Sequence, residues 1–511
     1  MNPPSPAEAP AQPLTFVPSA APGRKNSPRR VAFVIDRIGH AELFSIPLLA
    51  AILKRDGHSV IFQEYDPDPK GAMARLQSFQ PDALAYSITS TDSNKFLGMN
   101  RILKQATGAF SIFGGAHPTF FPDFIEKEGV DAICVGEGDA AFPALIGSLG
   151  SSAMADVSNF HLKLPGGEIV RNRPAPLVPD LDALPHPDRD MLYEASWIQR
   201  EMPIRSFFAG RGCPYKCSYC FNHQYNAMYR GKEMGKIVRA KSVSRFLDEI
   251  QQVIRKYPTQ FLKFHDDVFG VNKAWLAEFA ERYPREIGLP YLCYARPNMV
   301  HAEYVDALQR SGCHAISIAV ECGNETIRNQ VLRRNMSSDD VRTAYGLIRE
   351  RGIRIYSLNM LGLPGETEAD LQLTVDLNRE CRADFADASI FQPYPGTEIT
   401  EYCVAHGWLE PGAASWESQF TRSLLNFPEA FKEKVETYHR MFPMLVDHPW
   451  LDRWLPEVER LRRTELGRKA TDLAYRFYYG YFLQSRIYPA KVPLAVKAKA
   501  ALSVLFSRNR T

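Results

Sequence analysis

Residues 210–223 read GRGCPYKCSYCFNH, fourteen positions that hold three cysteines and a histidine. Cys213, Cys217 and Cys220 stand four and three residues apart, close enough to act together and one ligand short of a closed tetrahedral site. Two completions satisfy the chemistry. Either His223 adds a fourth ligand in a zinc knuckle, or three thiolates hold a four-iron cluster and leave one iron without a protein ligand. The chain on either side decides between them.

Downstream, short apolar segments alternate with helical ones. The strands read SFFAG, QFLKFHDD (260–267), YLCYAR (291–296), AISIAVE (315–321), IRIYSLNM (353–360) and ADASIFQPYP (386–395), and stretches such as SVSRFLDEIQQVIRKY separate them. Six such βα units over residues 204–411, each strand ending in polar residues, predict a partial (β/α)6 barrel whose site lies on its carboxyl face. The three cysteines then fall just after the first strand, at the mouth. A structural clip has no reason to sit where substrates bind, whereas an open metal site does.

Upstream, residues 31–150 keep the same rhythm. VAFVID (31–36) precedes a helix over about 41–55, and HSVIFQEYD, PDALAYSIT, FSIFGGAH and DAICVGEGD follow. Continuous apolar strands between helices predict an α/β, doubly wound (Rossmann-like) domain. Its strand ends carry SITSTDS (87–93), GGAHPT (114–119) and GEGD (136–139), where such sheets bind ligands. Each glycine turn is equally well explained as turn chemistry. No Gly-x-Gly-x-x-Gly follows the first strand, so a dinucleotide fingerprint is absent. Residues 151–203 hold a hairpin-like LPGGEIV and a proline-rich run, and are expected to be a linker.

The ends differ. Residues 1–30 are rich in Pro, Ala and Ser, lack the order of a signal peptide and are expected to be a disordered tail. Apolar runs are broken before they reach bilayer length. Nine cysteines without an export signal point to a reducing cytoplasm. A net charge of +3 gives no global nucleic-acid footprint. Beyond residue 412 a helical C-terminal region is expected. Residues 461–511 carry eleven Lys or Arg against Glu465 and Asp472, interleaved with Tyr, Phe and Leu. This pattern fits peripheral membrane contact through 471–511 or a docked helix with a solvated basic face.

CPYKCSYC resembles the Cys-x3-Cys-x-aromatic-Cys signature of the radical S-adenosylmethionine (SAM) superfamily. The resemblance implies that Cys213, Cys217 and Cys220 hold a 4Fe-4S cluster and that SAM binds its unique iron. A one-electron donor such as flavodoxin or ferredoxin then drives release of a 5′-deoxyadenosyl radical. Tyr219 would pack near the adenine. His265, Asp266 and Asp267 match the polar strand-end motif that contacts the SAM amino group, and Arg296 and Glu321 match positions contacting its ribose or methionine moiety. Gly362, with Gly365 and Glu366, stands nearest to the glycine-rich adenine segment, in altered form. For the strand-end groups a charged cap, and for the glycines a plain turn, remain alternative readings.

Beside such a barrel, the first domain resembles the cobalamin-binding domain of the superfamily's cobalamin-dependent class. Gly114, Gly115, His117, Gly136, Glu137 and Gly138 are then the expected corrinoid contacts. One departure stands out: the Asp-x-His-x-x-Gly signature is missing, and histidine follows Asp36 by four positions, at His40. Members without that signature hold the corrinoid with no protein imidazole on cobalt, and some relatives keep the domain without the cofactor. The resemblance implies methylation of an unactivated carbon of a small-molecule or lipid-type substrate, or cyclisation or oxidation of the magnesium-protoporphyrin monomethyl ester cyclase type. No residue is singled out as catalytic, and a zinc-clipped binding protein is the non-enzymatic rival.

Overall fold

The computed structural model describes residues 28–39, 42–413 and 422–497. The expected tail over 1–27, His40 and the last residues of the basic tail, 498–511, lie outside these. β1 (Arg30–Ile35) is buried at every position after the first, so it needs cover on both faces and takes an interior place in its sheet. With β2 (Ser59–Glu64), β3 (Ala83–Ser87), β4 (Phe110–Gly114) and β5 (Ala132–Cys134) it builds a parallel sheet of order β2-β1-β3-β4-β5. Val31, Phe33 and Ile35 pack with helices Ser45–Arg55 and Ala141–Ser148, while Ala32 and Val34 face the opposite layer with Leu76, Phe96 and Leu103. The strand order reverses direction beside β1, which opens a crevice at the carboxyl edge.

Residues 151–203 are more than the linker the sequence suggested. β6 (Phe160–Lys163) and β7 (Ile169–Arg171) form an antiparallel hairpin that extends the sheet from the edge of β5. β5 is only three residues long and would otherwise leave an unpaired edge, and Phe160 and Leu162 are fully buried there. Helix Asp190–Ala195 then buries Leu192 and Tyr193 in the core of the second domain.

That domain begins with β8 (Ile204–Phe207). After a short ribbon of β9 (Gly210–Arg211) and β10 (Arg239–Ala240) come β11 (Phe261–Phe264), β12 (Tyr291–Ala295), β13 (Cys313–Glu321), β14 (Arg354–Leu361) and β15 (Phe385–Ile390). The six long strands are parallel and adjacent in chain order. Leu262, Phe264, Tyr291, Cys293, Ile316 and Ile355 face the surrounding helices. The opposite pleats turn Lys263, Tyr294, Ser317, Tyr356 and Asp387 inward, and Tyr294, Ser317 and Tyr356 are paired in register.

The sheet stays open, and its two edges are closed differently. β15 is covered by helix Glu429–Asp447. The amide of Ser206 in β8 donates to Glu42 Oε2 at 2.7 Å, a carboxylate supplied by the first domain. Glu42 is itself buried with Arg189 (3.1 Å), Arg205 (3.6 Å) and the Tyr193 hydroxyl (2.6 Å). The barrel floor is sealed from the far end of the chain, where Ile487 and Ala490 pack on Phe261, Leu292, Ala315 and Phe385. Among the described residues no helix is long and apolar enough to cross a membrane.

Candidate active site

The carboxyl edge of the first sheet faces the mouth of the barrel across a cleft of about 420 Å³. Gly114, Gly115, Gly136, Glu137 and Gly138 line it from one side, and Phe208, Arg211, Lys241 and Asp267 from the other. An apolar arm bounded by Phe33, Leu49, Ala85, Ile112 and Phe142 runs from it beneath the sheet. Gly115 has φ of 95°, and a Cβ there would stand 2.7 Å from the carbonyl oxygen of Ile88. The turn therefore requires glycine, and its bare backbone leaves room for a flat ligand.

Of the residues expected here, His117 does not line the cleft. Its Nδ1 lies 3.0 Å from Ser90 Oγ, and its ring is stacked on Phe121 and set edge-on to Phe124. The helical turn that opens at Ala116 points the imidazole into this aromatic cluster, where burial lowers its pKa. Glu137 is likewise committed to protein partners. Burial alone would raise its carboxyl, but Arg239 (2.5 Å) and Arg211 (3.1 Å) outweigh that and hold it below the ordinary range. Arg211 also meets Asp139 at 2.6 Å, so one ion network fastens the GEGD turn to the β9–β10 ribbon.

The cysteine loop is fixed just beyond that ribbon. Gly212 has φ of 87°, and a Cβ on it would stand 2.3 Å from the Ile237 carbonyl, so the backbone ahead of Cys213 must be bare. Ser218 N donates to the Leu332 carbonyl (3.2 Å) and Ser218 Oγ to the Val331 carbonyl (2.6 Å), while the Ser218 carbonyl accepts from Ile399 N (3.1 Å). None of Cys213, Cys217 and Cys220 is in a disulfide. Burial pushes the Cys220 thiol up to about 12, with Cys217 adding to the effect, so thiolates here need a strong positive partner. Arg296 approaches Cys217 Sγ at 3.5 Å and lies 4.1 Å from the Tyr215 ring centroid, and its other nitrogen meets the Arg334 carbonyl. His223 turns away from the thiols to Glu398, 2.9 Å distant. Among the described residues no three metal-ligating side chains converge on a point suited to a single ion. Three thiols at one mouth, without a fourth ligand, suit a cluster with an open iron.

A second cavity, of about 440 Å³, enters the barrel beside this loop. Tyr219, Glu321, Met360 and Gln392 line it, together with the inward-facing Tyr356, Asp387 and Tyr479. The Tyr219 hydroxyl donates to Glu321 Oε1 at 2.7 Å, and Arg334 reaches both, at 2.8 and 3.2 Å. Glu321 ends β13 with φ of 69°, a strained left-handed conformation that aims its carboxylate at this trio. Burial raises the Asp387 carboxyl to about 7, although the Tyr475 and Tyr479 hydroxyls favour the charged form.

Two expected contacts stand apart from that cavity. Asp266 accepts from the amides of Ala209 (3.0 Å) and Gly210 (2.5 Å), tying the turn after β8, and burial still lifts its carboxyl to about 7. Gly362 faces Val435 of helix Glu429–Asp447, and its amide donates to Glu366 Oε2 at 2.5 Å. Glu366 thus caps the loop after β14, and burial raises it to about 8. Arg334, Asp387, Arg211 and Arg239 were not singled out from sequence. For Asp387 a signal existed: Phe385, Asp387 and Ser389 alternate with the apolar Ala386, Ala388 and Ile390 of β15.

Residues 208–377 match the family model of the radical SAM superfamily, and residues 39–146 match that of the B12 binding domain. An uncharacterized methyltransferase, PH0819, of Pyrococcus horikoshii is 25% identical over 65% of this chain and 72% of its own. Among solved structures, the cobalamin-dependent SAM radical enzyme OxsB, with aqua-cobalamin and SAM bound, aligns over 94% of this chain and 75% of its own, at TM-score 0.66 and 15% identity. The radical SAM methyltransferase TsrM of Kitasatospora setae, with tryptophan and a SAM analogue, covers 74% of this chain and 76% of its own, at TM-score 0.60 and 18% identity. The two structural likenesses speak to fold.

Proposed function

Because this chain belongs to the cobalamin-dependent branch of the radical SAM superfamily, we propose that it methylates an unactivated carbon of a small-molecule or lipid-type substrate. The observation that carries this reading is the opposition of two sites. The glycine-lined edge of one domain looks across the cleft at Asp267 and Arg211, next to the mouth that holds the three thiols.

A 4Fe-4S cluster with SAM supplies a radical able to take hydrogen from an inert C–H bond, and cobalamin supplies the methyl group. The protein's own part is positional. Cys213, Cys217 and Cys220 would hold the cluster, with the Arg296 guanidinium offsetting thiolate charge at Cys217. Tyr219, locked by Glu321 and Arg334, presents a fixed ring face for the adenine. The bare backbone of 114–115 and 136–138 would seat the corrin, and the apolar lining of Phe33, Leu49, Ala85, Ile112 and Phe142 would take an apolar part of the cofactor. His117 is turned out of the cleft toward Ser90 and Phe121. We place the enzyme in the cytoplasm, reduced by a flavodoxin- or ferredoxin-type donor.

The test is anaerobic reconstitution. Iron and sulfide at a four-iron complement, lost in Cys217→Ala, together with corrinoid bands in the visible spectrum, are the expected result. Zinc without iron would overturn the cluster. With SAM labelled on its methyl group, label in the product marks a methylase, whereas an altered but unlabelled product assigns cyclisation or oxidation.

A further inference from the structure

The helix Glu465–Arg486 is apolar on two faces. Its inner face is already docked: Tyr475 is buried and its hydroxyl meets Asp387 at 3.3 Å, and Tyr479 lines the barrel cavity. A helix so anchored should turn polar residues to water. Instead Leu466, Leu473, Phe477 and Tyr481 point outward, 79%, 67%, 72% and 59% exposed. Spacings of seven, four and four residues align them in one stripe.

The charges beside the stripe are unbalanced. Arg476, three positions from Leu473 on the flank of the stripe, is exposed and enters no ion pair among the described residues. The nearby acids are engaged elsewhere, Glu465 with Lys469 at 2.6 Å and Asp472 with Arg440 and Arg462 at 3.0 and 3.2 Å. No acid follows Asp472 as far as residue 497. The neighbouring turn Pro449–Trp454 adds two exposed indoles, Trp450 and Trp454.

We propose that this face docks on an anionic lipid surface. Leu466, Leu473, Phe477 and Tyr481 enter the boundary between headgroups and acyl chains, and Arg476 on the flank of the stripe meets the phosphates. A second copy of this chain is a poorer occupant, because it brings the same uncompensated Arg476 to the same face. The inference is independent of the chemistry in the cleft and survives if that reading fails.

Pelleting of the full chain with vesicles tests it. Phosphatidylcholine containing phosphatidylglycerol should carry the protein down, and pure phosphatidylcholine should carry much less. The double change Leu473→Glu and Phe477→Glu should lower partitioning at least about tenfold. Arg476→Glu should reduce binding to anionic vesicles toward the level seen on phosphatidylcholine alone. Unchanged thermal melting shows that the variants remain folded. Failure of the native chain to pellet with anionic vesicles overturns the proposal, as does pelleting indifferent to Leu473 and Phe477. A dimer in solution that the double change splits would assign the face to a second copy, and vesicle-independent RNA binding lost in the arginine variant would assign it to nucleic acid.

Discussion

Arg334 shows how much a single buried charge can fix. Its guanidinium is nearly inaccessible and holds both Tyr219 and Glu321, so removing it takes the counter-charge from a mostly buried carboxylate that keeps only the Tyr219 hydroxyl. Arg334→Ala should cost about 3–5 kcal/mol in urea unfolding and raise the KM for SAM, and Arg334→Lys should restore only part of either. Asp387 makes the opposite case. Its carboxyl is raised from 3.8 to about 7, first by burial, so its stabilising effect is complete below about pH 4 and is lost as pH climbs through 7. Tyr356, Tyr475 and Tyr479 are the groups that face it. Asp387→Asn should therefore flatten the urea-midpoint profile between pH 5 and 7, where the native chain loses up to about 1.4 kcal/mol per pH unit from this group. Sequence could name Glu321 because it ends an apolar strand. It could not name Arg334, since either arginine of LRRNM reads the same whether solvated or buried.

At the scale of elements, the turns matter more than the strands they join. Gly115→Ala meets the Ile88 backbone at 2.7 Å with φ on the positive side, so it should lose roughly 1–3 kcal/mol and the corrinoid together. Melting temperature and cobalt content of purified protein check both. Strand positions were legible throughout, because β1 and β11–β15 are apolar runs with clear punctuation. The hairpin β6–β7 was visible as a hairpin, yet its membership in the first sheet was not. That membership depends on the unpaired edge of a three-residue β5, a property of the assembled sheet. His117 was misplaced for a different reason: a glycine turn announces where the backbone bends, but not that the short helical turn after it folds Phe121 and Phe124, four and seven residues on, over the ring.

Across the whole molecule, the two domains are joined by charge at two places. Glu42 caps the β8 edge amid Arg189 and Arg205, and Glu137 with Asp139 grips Arg211 and Arg239. Glu42→Ala would leave two buried arginines short of a partner and the Ser206 amide unpaired. A loss of about 3–5 kcal/mol in unfolding free energy is expected. Chemical denaturation should also show the two domains unfolding separately in this variant. None of these pairs was readable in advance, because ion pairs separated by more than seventy residues leave no periodicity.

The floor of the barrel has a consequence for how the chain is made. Ile487 and Ala490, which close that floor, leave the ribosome long after the strands whose ends they cover. Until they dock, Phe261, Leu292 and Phe385 are open to water, so a nascent barrel carries an apolar, aggregation-prone end through the last part of its own translation.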